Sequence, residues 1–147
     1  MRTYRRHTGV VAVVVLALLA TACPSSNDLD SAAKASNEMA HDLETGVDVV
    51  VELYKAKVIP LDAKDKIVGK IEVLKNKGVA FQNIVKELDV KYPQGTPPPQ
   101  NLQFLRENVN ELRRLYTDIL ADLIPFNATK ALNDFNGSLK KIEKVVN

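Results

Sequence analysis

The sequence has no tryptophan, one cysteine and two histidines, and aromatic residues make up only 5% of it. Each shortage removes a class of chemistry. A single cysteine forms no intrachain disulfide, so stability must come from packing. Few rings are present to stack on a large flat ligand. Covalent haem requires Cys-x-x-Cys-His, which is missing, and no glycine-rich phosphate loop follows a strand-like pattern. The apolar run at residues 10–22 is 13 residues long, short of the roughly 20 that a spanning helix needs.

The charge balance is deceptive. The whole chain carries 20 basic and 18 acidic side chains, a formal +2. Arg2, Arg5 and Arg6 precede the apolar run, so the part after residue 22 has 17 basic against 18 acidic residues, a balance of −1. Nucleic-acid binding, which calls for a concentrated positive face, loses its support.

Those arginines, the apolar run and the small residues up to Cys23 form the three parts of an export signal. The lone cysteine stands where the apolar run meets a polar stretch, in the box Leu19-Ala20-Thr21-Ala22-Cys23. This segment resembles the signal peptides of bacterial lipoproteins, which end in a box of small and aliphatic residues followed by cysteine. The favoured leucine three places before the cysteine is Ala20 here. Ala20-Thr21-Ala22 also fits ordinary secretory cleavage, which would leave a free thiol at the mature N-terminus. The resemblance implies that residues 1–22 are removed and that Cys23 carries acyl chains inserted in membrane lipid. Residues 23–30 would form a short lipidated tether. The location implied is the bacterial cell envelope: the periplasmic face of the outer membrane in a Gram-negative cell, or the outer leaflet of the cell membrane in a Gram-positive one.

Beyond the tether, apolar residues step by alternating threes and fours through four segments, at about residues 31–58, 62–92, 97–124 and 127–146. The first seam reads Ala40, Leu43, Val47, Val50 and Tyr54. The second runs from Ile67 through Gly78 and Phe81 to Tyr92, the third from Leu102 to Leu123, and the fourth from Ala128 to Val146. A mean step of 3.5 favours left-handed packing at about 20°. Short connections force antiparallel neighbours. The expectation is an all-α, up-down-up-down antiparallel four-helix bundle over residues 31–147, with Asp62 and Asn127 as N-caps. Pro97-Pro98-Pro99 reads as a rigid spacer or a polyproline ligand.

Catalytic and metal constellations are scarce. Glu38-Met39-Ala40-His41 spells one Glu-x-x-His, but His41 is the only histidine after residue 22 and cannot supply a second such motif. Helical rotation sets Met39 and His41 on opposite sides, and the seam turns Glu38 and His41 outward. No catalytic residue, metal or cofactor is expected, and the chain is read as a non-enzyme. Two charge stripes remain. Glu44, Asp48 and Glu52 lie four apart on the first helix, and Lys66, Lys70 and Lys77 form a basic counterpart on the second. They either sort across the groove between these helices or receive a partner of opposite charge. The expected function is therefore a membrane-anchored helical lipoprotein that works through protein–protein contacts as scaffold, accessory subunit or modulator, with an envelope protein as partner. The alternative is a carrier holding a small apolar ligand in the bundle interior near Gly78, Phe81 and Tyr116.

Overall fold

The computed structural model describes residues 26–93 and 97–146. Four α-helices account for most of them: α1 at Ser26–Lys55, α2 at Leu61–Lys91, α3 at Pro99–Leu123 and α4 at Asn133–Val146. Each helix packs on its two neighbours in a ring, α1 on α2 and α4, and α3 on the other side of both. Among the described residues there is no strand. This is the expected up-down-up-down bundle.

Three of the four seams lie where the apolar rhythm puts them. Ile67, Ile71, Leu74, Gly78, Phe81, Val85 and Leu88 are buried along α2, and Leu102 to Leu123 along α3 in the same alternation of threes and fours. Leu132, Phe135, Leu139, Ile142 and Val146 complete the core from the fourth segment. Tyr116 of α3 meets Phe135 of α4 with ring centroids 5.4 Å apart. Outside that contact, Arg113 closes the α3–α4 groove by donating from Nε and Nη2 to Glu143 at 2.7 and 2.6 Å.

The first helix departs from expectation in phase and in start. Its buried row is Leu29, Ala32, Ser36, Met39, Leu43, Gly46 and Val50. Leu43 and Val50 hold, but Met39 and Gly46 replace Ala40 and Val47, and Tyr54 is exposed. Close approach of the fourth segment explains the choice of a glycine over a valine. A Cβ on Gly46 would lie 2.6 Å from Leu132 Cδ2 and 3.3 Å from Ala131 O. The helix also begins at Ser26, so residues 26–30 of the expected tether are helical, and Leu29 is fully buried.

The ends of the helices differ from expectation as well. Pro60, in extended conformation, stands at the N-cap of α2, and Asp62 lies within the first turn, where the positive end of the helix dipole favours a carboxylate. A 3-10 turn at Ile124–Phe126 prolongs α3, and Asn127 closes it in the left-handed region at φ 55°, a conformation asparagine tolerates. A second 3-10 turn, Thr129–Leu132, then leads into α4, so Asn127 ends one helix and does not cap the next. The space beside Gly78, the expected ligand pocket, is met from across the groove by Met39 Cε, 3.5 Å from where a Cβ would stand. Phe81 and Tyr116 are buried in the core.

Candidate protein-contact surface

The basic stripe is engaged inside the molecule. Lys66 pairs with Asp122 at 2.7 Å, Lys70 bridges Asp118 and Asp122 at 2.7 and 2.6 Å, and Lys77 reaches Glu111 at 3.0 Å. All three acceptors belong to α3, so these lysines line the α2–α3 groove and not the α1–α2 groove. Burial by itself would lower the Lys70 pKa, but Asp118 and Asp122 outweigh it and hold the ammonium above its ordinary value. Burial likewise pushes the Asp122 carboxyl up, and hydrogen bonds from Lys66 and Lys70 more than reverse this, leaving it below the ordinary value.

The acidic stripe divides. Glu44 accepts from Lys75 of α2 at 2.6 Å, which lowers its pKa and, among the described residues, is the one ion pair across the α1–α2 groove, made by a lysine outside the expected stripe. Glu52 binds Lys55 one turn along the same helix, also at 2.6 Å. Asp48, exposed between them, takes part in no ion pair among the described residues, although its charge helps hold the Lys55 ammonium up.

The surroundings of Asp48 follow from how α4 sits on α1. Lys141 Nζ contacts Glu38 at 2.6 Å, Ser138 Oγ donates to Asp42 at 2.7 Å, and Leu132 lies on Gly46. Residues 38, 42 and 46 form one row along α1, and the fourth segment runs down it antiparallel. At Gly46 the cover passes from α4 to the 3-10 lead Thr129–Leu132, which also packs on α1. The row continues as Val49, Leu53 and Ala56, of which Val49 is 36% exposed and Leu53 half-buried. Together with Thr45, Asp48 and Glu52 these residues line a shallow open groove of about 460 Å³. Neither the valine nor the leucine belongs to the seam read from the sequence. The available signal was surplus: Val47, Val49, Val51 and Leu53 give this part of α1 more apolar residues than one seam uses.

Glu38 and His41 are exposed, and Met39 is fully buried against the core. Among the described residues no three His, Cys, Asp or Glu side chains converge to hold a metal ion. Among them, too, no helix is long and apolar enough to cross a membrane. Cys23 lies outside the described residues, three positions before the first residue of α1. Comparison with protein-family models, curated proteins and solved structures finds no match to the chain.

Proposed function

We propose that the chain is a lipid-anchored, non-enzymatic helical-bundle protein of the bacterial envelope that acts through protein–protein contacts, as scaffold, accessory subunit or modulator of a membrane complex. The observation that carries this reading is Cys23 itself, placed directly after a positive, then apolar, then small-residue leader. Two or three acyl chains, at about 0.8 kcal/mol per buried methylene, anchor stably where one does not. The early start of α1 supports the same reading, since residues 23–25 separate the cysteine from a rigid helix and span at most about 11 Å. An open groove on α1, away from the paired charges of the α2–α3 groove, supports a role in binding another protein.

The decisive measurement is incorporation of radiolabelled palmitate in cells making the full chain. Labelled protein in the membrane fraction is expected, with Cys23→Ala unlabelled and released. An intact Cys23 chain that takes up no label, or appears free in the medium, overturns the anchoring.

A further inference from the structure

We infer that the outer face of α2, from Glu72 to Lys86, pairs with the same face of a second copy of the chain, the two helices running antiparallel. This deepens the protein-contact part of the proposed function, on which it rests, and is independent of the lipid anchor.

A helix in the ring turns one side to the core and two flanks to its neighbours, which leaves a fourth side to solvent. On α2 the core takes Ile71, Leu74, Gly78, Phe81 and Val85. The α1 flank takes Lys75 and Gln82, and the α3 flank takes Lys70 and Lys77. What remains is Glu72, Asn76, Val79, Ala80, Asn83 and Lys86, all exposed, with Val79 at 41%. In a chain of which 26% is charged, the four middle positions of this face are uncharged and short. Nothing there holds a second helix away.

The charges identify the occupant. Glu72 lies seven residues before Val79 and Lys86 seven after it, while Asn76 stands three before Val79 and Asn83 three after Ala80. Seven residues make two turns of a left-handed helix pair, so Glu72, Val79 and Lys86 stay on one seam. A two-fold axis through the middle of this face sets Glu72 of each copy against Lys86 of the other, and Asn76 against Asn83. Each contact occurs twice, as an isologous interface requires. Neither charge is engaged within the molecule: among the described residues Glu72 and Lys86 take part in no ion pair, whereas Lys70, Lys75 and Lys77 of the same helix are all paired. Parallel pairing fails, because it places Glu72 on Glu72 and Lys86 on Lys86. Val68 and Val90, eleven residues to either side of Val79, end the seam on an apolar residue each way, the first half-buried and the second 81% exposed. The seam from 68 to 90 is about 33 Å long at 1.5 Å per residue. The pair sets the starts of the two α1 helices at opposite ends. Copies standing upright on one bilayer run parallel, so those that pair are held on facing surfaces or released from lipid.

Sedimentation equilibrium of the full chain in density-matched detergent should show a monomer–dimer equilibrium that salt weakens. Glu72→Lys and Lys86→Glu should each raise the dimer dissociation constant by about tenfold, since one substitution sets like charges together twice. The double variant Glu72→Lys/Lys86→Glu should recover association, and an equimolar mixture of the two single variants should form heterodimers. Val79→Asp should abolish pairing, whereas Lys140→Glu on α4, diagonally across the ring from α2, should leave it unchanged. Every substituted side chain is exposed, so circular dichroism of the variants should match that of the unsubstituted chain. The inference is overturned if the unsubstituted chain is a monomer at every concentration, if the single variants associate as it does, or if the double variant fails to recover. A palmitate-labelled chain that stays monomeric would remove the pair and leave the anchor, and an unlabelled chain that associates in this charge-dependent way would do the reverse.

Discussion

Gly46 and Gly69 look alike in a sequence, since each weakens a helix interior by about 1 kcal/mol relative to alanine. Their surroundings separate them. A methyl on Gly46 would meet Leu132 at 2.6 Å and the carbonyl oxygen of Ala131 at 3.3 Å, whereas nothing lies within 4 Å of the Cβ position at Gly69 or Gly137. Leu132 is buried and has little freedom to retreat. Gly46→Ala should therefore lower stability by about 1 kcal/mol net, the overpacking outweighing the gain in helix propensity. Gly69→Ala and Gly137→Ala should each raise it by up to about 1 kcal/mol. Urea unfolding of the three variants checks the contrast, and a stabilised Gly46→Ala would show that the fourth segment does not press on α1 there. Only the neighbour across the groove decides the sign, and a neighbour in space is not written in local sequence.

Apolar spacing was enough to place α2, α3 and α4, because large side chains mark their seams without competition. On α1 the buried row includes Ala32, Ser36 and Gly46, while Val47, Val49 and Leu53 stand outside it. A reading anchored on Val47 and Tyr54 in place of Gly46 therefore slips by one residue, and carries Ala40 with it in place of Met39. Likewise the charges of α2 are legible as a stripe, but not their direction, which depends on the register of α3. That register makes the α2–α3 groove pH-sensitive. Asp122 is held below its ordinary value of 3.8 by Lys66 and Lys70, so its contribution to stability is fully present above that pH and is lost as the pH falls through the native-state value. Asp122→Asn should cost on the order of 1 kcal/mol at pH 7, where the carboxylate is charged and only partly screened. Its unfolding curve should approach that of the unsubstituted chain in acid. Urea midpoints at pH 7 and pH 3 test this, and an equal gap at both values would mean that the ion pairs contribute nothing.

The up-down order gives the whole molecule two distinct ends. The start of α1, the end of α2, the start of α3 and the end of α4 lie together, and Arg106 Nε donates to the Val146 carbonyl at 2.6 Å across that end. The 56–60 connection and the 3-10 turns lie at the other. On the proposed anchoring through Cys23, the first end faces lipid and the second points away. Helix α2 samples both, since Leu61 is its first residue and Val90 its last but one, both exposed and about 44 Å apart at 1.5 Å per residue. Because the chain has no tryptophan, Val90→Trp and Leu61→Trp each provide a single reporter. In vesicles containing a lipid with a nitroxide on its headgroup, fluorescence of the acylated Val90→Trp protein should be quenched strongly and that of Leu61→Trp little. Equal quenching would mean that the bundle lies flat on the surface, and stronger quenching at Leu61 would mean that it is held by the wrong end. Either result would also change what the α1 groove can reach, because residues 45–55 belong to the half of α1 far from Ser26 and are presented away from the bilayer only when the bundle stands upright.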